Sequence, residues 1–357
     1  MPINGNGNFE TTVGFTSNSI TNTTKVIMPI ICKELIMIAW FRSRMLLLIF
    51  IQLFINVTSA VFTQEIQHPT IDPRNPYPNM EIFNYGDSHA YVFKNNASDK
   101  LLINIDGSGW DSVLGIKNEG MWTNVHLGAH LLQYFGDKYT ILIPEKLKRQ
   151  PGLIYYTDME DRANYTADKL LNCYSESING YLSEYSFASI TIVGAFEGSY
   201  LVPLLYERLI NKEKVKSIVS IFCGGLSLYE SYSILNRLET IPIAYRQMYR
   251  YFLDVYRPGN YRPDSYLENV YELTYRWYNS FIDIRPFDYY KHINIPVLFI
   301  AGYLGSNVPD DSFRYLRENL PEKPFDYIYK NPAAIMTNSD FLNIIDDIVK
   351  WLNKTNQ

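Results

Sequence analysis

At residues 190–205 an apolar run, Ile190-Thr-Ile-Val193, enters the tight turn Gly194-Ala195-Phe196-Glu197-Gly198 and leaves as a second apolar run ending at Leu205. A strand that turns sharply into a helix presents the central residue of the turn, here Phe196. A Ser, Cys or Asp there could attack a carbonyl, but a phenyl ring has no proton to lose and no lone pair to attack with. Other residues of chemical type are scattered. His126 and His130 stand four apart, the spacing of two metal ligands on one helix face, but Glu does not follow His126 and no metal site is expected. Ser199, three residues past Phe196, is expected to pack within its helix. The acidic run Asp158-Met-Glu160-Asp161 reads as a solvated loop. Glu145 follows a strand end and joins Trp110 and Phe196 as a pocket candidate.

The elements needed to hold such a turn recur along the chain. Apolar runs at Ala90–Phe93, Leu101–Ile105, Tyr139–Pro144, Ile190–Val193, Val215–Phe222 and Val297–Ala301 alternate with helical stretches. One helix is expected over Tyr165–Ser183 and a last one over Ser339–Asn353. This is the pattern of an α/β fold with a mainly parallel central sheet flanked by helices. Between 224 and 292 the sequence becomes helix-like and aromatic, holding 13 of the 30 tyrosines, and reads as an inserted helical cap. Tyr271, Tyr275 and Tyr278 fall on one helix face and are expected to pack on the main domain.

The elbow-like turn resembles the G-x-S-x-G nucleophile turn of the α/β-hydrolase superfamily, with Gly194 and Gly198 as its glycines. Two further segments share the resemblance. Leu101–Ile105 runs into Asp106-Gly107-Ser108-Gly109-Trp110, where the family places an oxyanion loop. The resemblance implies N–H donors from the Gly107, Ser108, Gly109 stretch and from Glu197. The segment from Ile295 to Pro309 is similar to the family's late strand and acid loop, and it places Gly305 at the acid position. The catalytic His would lie before the last helix, at Ala334. All five histidines, at 68, 89, 126, 130 and 292, precede the acid loop. The resemblance therefore implies a homologue with a degenerate triad: Phe196, Gly305 and Ala334 stand where Ser, Asp and His would be. Fold does not carry activity with it. The expectation is a non-catalytic protein that binds a small molecule, peptide or protein partner through the former cleft. The alternative is an unorthodox hydrolase of carboxylic esters or peptides. On the first view, Phe196→Ser alone should not restore hydrolysis, because no base is at hand.

Composition narrows the partners. A net charge of −5 over 357 residues, with no basic block, gives no footprint for a phosphate backbone, so no nucleic acid is expected. No cofactor motif occurs. Cys173 and Cys223 are expected to remain unpaired, since each lies in a segment that reads as core. At the N-terminus, residues 1–25 are polar and read as disordered or as lying upstream of the true start. Residues 26–60 read as a hydrophobic signal peptide or anchor, and 61–79 as a linker to the domain at 80–353. Arg42 and Arg44 precede the apolar run 46–55, and Thr58-Ser59-Ala60 offers a cleavage site; Met45 stands where such a segment would begin. Export across or to the cell envelope follows as an expectation, with membrane attachment if the segment is not cleaved.

Overall fold

The computed structural model describes residues 72, 74–107, 112–118, 121–146, 165–255, 275–302, 308–330 and 338–355. All belong to one compact unit, Pro69–Gln357. The N-terminal segments expected to act as an address lie outside the described residues. So do Ser108, Gly109, Trp110, Gly305 and Ala334.

Ten strands are described: β1 (Glu81–Tyr85), β2 (Ser88–Phe93), β3 (Lys100–Ile105), β4 (Gly115–Asn118), β5 (Met121–Val125), β6 (Thr140–Pro144), β7 (Ser189–Ala195), β8 (Val215–Ile221), β9 (Val297–Ala301) and β10 (Phe325–Tyr329). Eight of them form one sheet in the order β1-β2-β6-β3-β7-β8-β9-β10. The β1–β2 and β2–β6 pairings are antiparallel, and every pairing from β6 to β10 is parallel. Central strands are apolar on both faces because helices cover both, as a parallel sheet requires. β7 is buried from Ile190 to Ala195.

The helices are α1 (Leu127–Phe135), α2 (Ala167–Glu184), α3 (Glu197–Arg208), α4 (Leu228–Leu235), α5 (Ile243–Val255), α6 (Tyr275–Phe281), α7 (Phe287–Tyr290), α8 (Asp310–Asn319) and α9 (Asn338–Thr355). One core layer joins Leu101, Ile103 and Ile105 of β3 to α2, α3 and the cap helices. The other joins Leu102 of β3 and Val193 and Ala195 of β7 to α1 and α9. The two layers follow from strand alternation: odd residues of β3 face one side and even residues the other.

The described part of the expected cap, α4 to α7, packs largely on itself and on the body. Tyr232 stacks on Tyr249 and Phe252, and Phe252 meets Tyr278. Tyr278 is buried, as its place on a packing face implied; Tyr271 lies outside the described residues. Ahead of α1 the chain forms the hairpin β4–β5, two strands that the sequence reading did not include. Polar residues such as Lys117, Asn118, Thr123 and Asn124 hide its strand alternation. Cys173 and Cys223 are free thiols. Among the described residues, no helix is long and apolar enough to cross a membrane.

Candidate functional site

The turn between β7 and α3 has the geometry its glycines predict. Phe196 caps α3 with φ 51° and ψ −117°, a conformation that costs a non-glycine residue about 1–3 kcal/mol. A Cβ on Gly194 would lie 2.5 Å from Val202 Cγ2, and one on Gly198 would strike the carbonyls of Ile105 and Asp106. The glycines thus let α3 press against the ends of β7 and β3. Ser199 strengthens the same joint. It is wholly buried, donates to the Ile221 carbonyl at 2.8 Å and accepts from the Ile221 N–H at 3.1 Å, so its hydroxyl is committed to structure.

The Phe196 ring is half-buried and packs on Phe222, with centroids 5.0 Å apart and planes tilted by 55°. Phe222 directly follows β8 and also has a positive φ, 60°. Two strained aromatic residues therefore meet at the carboxyl edge of the sheet. A contact of this kind contributes about 0.5–1.5 kcal/mol beyond the area it buries.

Glu197, the first residue of α3, is buried beneath the cap. Its Oε1 accepts from Trp277 Nε1 of α6 at 2.5 Å, whereas Oε2 has no hydrogen bond of ordinary geometry. Burial pushes its pKa up to about 7, partly opposed by the Lys146 charge and by hydrogen bonding from Trp277 and Tyr165. Lys146 is wholly buried and also lies close enough to Asp106 to favour that carboxylate's ionised form.

Glu145, expected to line a pocket, instead braces the loop at 112–114. Its Oε2 accepts from Tyr91 at 2.9 Å and Ser112 at 2.6 Å, and its Oε1 from the N–H groups of Val113 at 3.2 Å and Lys146 at 2.9 Å. With 1% of the residue exposed and four donors in place, it offers a ligand nothing.

The structure also brings together two residues that the sequence reading did not join. The parallel register pairs Ile105 of β3 with Gly194 of β7, so Asp106 comes beside Ala195 and Gly107 beside Phe196. A Cβ on Gly107 would lie 3.0 Å from Phe196 Cβ. Asp106 Oδ1 accepts from the Gly107 N–H at 2.6 Å, and its Oδ2 lies 3.3 Å from Nδ1 of His126, the residue that caps α1. Both atoms are buried and neither makes a hydrogen bond of ordinary geometry, with the other or with a third group, so the contact is one of ion-pair distance; 16% of the His126 side chain stays open. Burial alone would raise the Asp106 pKa, but His126, Lys146 and the Gly107 N–H outweigh it and hold the carboxyl below its ordinary range. The i, i+4 spacing with His130 drew attention to His126 as a metal ligand, yet its described neighbour is a carboxylate. Among the described residues, no group of three His, Cys, Asp or Glu side chains is arranged to hold a metal ion.

No family model matches the sequence, and no curated protein matches it. Solved structures do. The acylaminoacyl peptidase of Pyrococcus horikoshii aligns with a TM-score of 0.50 at 14% identity, over 77% of this chain. This chain spans only 41% of that peptidase. An esterase of Pyrococcus furiosus aligns at 0.49 and 11% identity, over 81% of this chain and 96% of its own. A lipase-esterase related protein from Clostridium acetobutylicum aligns at 0.45 and 15% identity, over 76% of this chain and all of its own. Likeness at such identities speaks to architecture alone. The sheet order, the turn at Phe196 and the helices on both faces give this chain the α/β-hydrolase fold.

Proposed function

We propose that this chain is a non-catalytic α/β-hydrolase homologue that acts outside the cytoplasm and binds a small molecule, peptide or protein through the crevice at the carboxyl edge of its sheet. The observation that carries the reading is Phe196. It holds the strained backbone of a nucleophile turn, yet presents a ring packed on Phe222. In a well-studied protease, loss of the nucleophile alone costs about 10⁶-fold in turnover, so an acyl-enzyme route is not available to this chain. The commitment of Ser199 to the α3–β8 joint removes the nearest substitute hydroxyl. Export is proposed on the sequence alone, from Arg42, Arg44 and the apolar run that follows.

The deciding experiment is incubation of the purified protein with a fluorophosphonate serine-hydrolase probe beside an active esterase. The expected outcome is no labelling. Labelling that disappears when one particular serine is substituted would overturn the reading. A second reading, ester or peptide hydrolysis by other residues, is favoured by one observation, the Asp106–His126 pair.

A further inference from the structure

We propose that Asp106 and His126 form a general-base pair aimed at the elbow, so that this chain lacks a nucleophile but not a base. The inference rests on the reading of Phe196 as the vacant nucleophile position. A general base needs one ring nitrogen held by a carboxylate and the rest of the ring open to the proton it takes. His126 is placed for both: Nδ1 is buried 3.3 Å from Asp106 Oδ2, at ion-pair distance but out of hydrogen-bond alignment, as catalytic pairs often are before substrate binds, and part of the side chain is open. Its place is fixed from two directions. Asp106 directly follows β3, next to Gly107, and a Cβ on Gly107 would lie 3.0 Å from Phe196 Cβ. His126 caps α1, whose Leu127 and Ala129 belong to the core layer that includes Leu102, Ala195 and Phe222 and against which the Phe196 ring packs. The pair comes from β3 and α1 rather than from the late acid loop and the loop before the last helix, where Gly305 and Ala334 stand.

The step it would carry is proton transfer from a hydroxyl or water at the elbow to His126 Nε2. A serine at position 196 would bond through Oγ to the phosphorus of a fluorophosphonate, its proton passing to His126 as the phosphorus–fluorine bond breaks and fluoride leaves. With p-nitrophenyl acetate, the same oxygen would bond to the carbonyl carbon and p-nitrophenolate would leave. Asp106 acts as a positioning residue that fixes the tautomer and orientation of the imidazole.

The test uses the full chain and the Phe196→Ser variant. Fluorophosphonate labelling and p-nitrophenyl acetate hydrolysis should both rise at least tenfold over wild type. Adding His126→Ala should return both to the wild-type level, and free imidazole should restore part of the loss after its own background is subtracted. Asp106→Asn in the Phe196→Ser background should lower kcat about tenfold with KM unchanged. A cooperatively folded Phe196→Ser protein that labels no faster than wild type, or labels equally fast without His126, would overturn the proposal. If Phe196→Ser does not fold cooperatively, Phe196→Cys decides. Its alkylation by iodoacetamide at neutral pH, corrected for the wild-type cysteines, should slow at least fivefold with His126→Ala, and equal rates would overturn the proposal. Labelling of the wild type would instead sink the non-catalytic reading, so the two failures are distinguishable.

Discussion

Two carboxylates buried at the carboxyl edge of the sheet, Glu145 after β6 and Glu197 at the start of α3, have opposite surroundings. Glu145 accepts four hydrogen bonds from Tyr91, Ser112, Val113 and Lys146. Glu197 accepts one of ordinary geometry, from Trp277 across the cap boundary, and its pKa is raised to about 7. A fully bonded carboxylate acts as a brace. A partly bonded one is a group whose charge can change near neutral pH, and here it also ties the cap to the elbow.

The comparison is tested most severely at Glu145. Glu145→Ala strands two hydroxyls and two backbone N–H groups, and hydrogen bonds to charged groups contribute about 1.5–3 kcal/mol each before relaxation and water recover part of the loss. A net destabilisation of about 3 kcal/mol or more is expected in urea denaturation. A loss below about 1 kcal/mol would mean that the loop at 112–114 is held by other means.

At Glu197 the expected effect is smaller and depends on pH. Its folded pKa is raised from 4.5 to about 7, so its favourable contribution is fully present below about pH 4.5 and is lost as pH rises through 7. The full swing is on the order of 3 kcal/mol. Glu197→Gln should flatten the stability profile between pH 5 and 8 relative to wild type in parallel denaturation series. An unchanged slope would show that Glu197 does not titrate in this range.

Trp277→Phe removes the Nε1 donor and keeps most of the apolar surface. It should cost about 1–2 kcal/mol at pH 8, where Glu197 is ionised, and less at pH 5. Equal costs at the two pH values would separate the tryptophan's role from the carboxylate.

How much of this was legible in the sequence differs between the frame and the site. Six strands of the eight-stranded sheet and the turn at Phe196 could be read because apolar runs and Gly194/Gly198 are local signals, whereas the edge strands β1 and β10 carry no such run. The β4–β5 hairpin could not, since residues such as Lys117, Asn118 and Asn124 break its alternation. Glu197 meets Trp277 across 80 residues, and Asp106 meets His126 only because a β-hairpin returns the chain to the end of β3. Helical spacing drew attention to His126 for a different reason, as a partner of His130. Contacts made by register and by insertion of a cap leave no fixed spacing to find.

The smallest expected effect concerns Phe196 itself, where strain and packing oppose each other. Full burial of a phenyl ring contributes about 1.5–3 kcal/mol, and the Phe196 ring is only half-buried, so its removal should cost about 1–2 kcal/mol with the contact to Phe222 included. Phe196→Ala loses that packing and keeps the positive φ, so it should destabilise by about 1–2 kcal/mol. Phe196→Gly loses the same packing but releases the backbone strain of about 1–3 kcal/mol, against about 0.5–1 kcal/mol of added unfolded-state entropy. The glycine variant should therefore be at least as stable as the alanine variant, by up to about 2 kcal/mol, and close to wild type. Urea denaturation of the three proteins measures the difference directly. An alanine variant more stable than the glycine variant would mean that the strain at 196 is below the roughly 0.5–1 kcal/mol of glycine entropy, and the elbow would then be held chiefly by the close approach of Gly194 and Gly198.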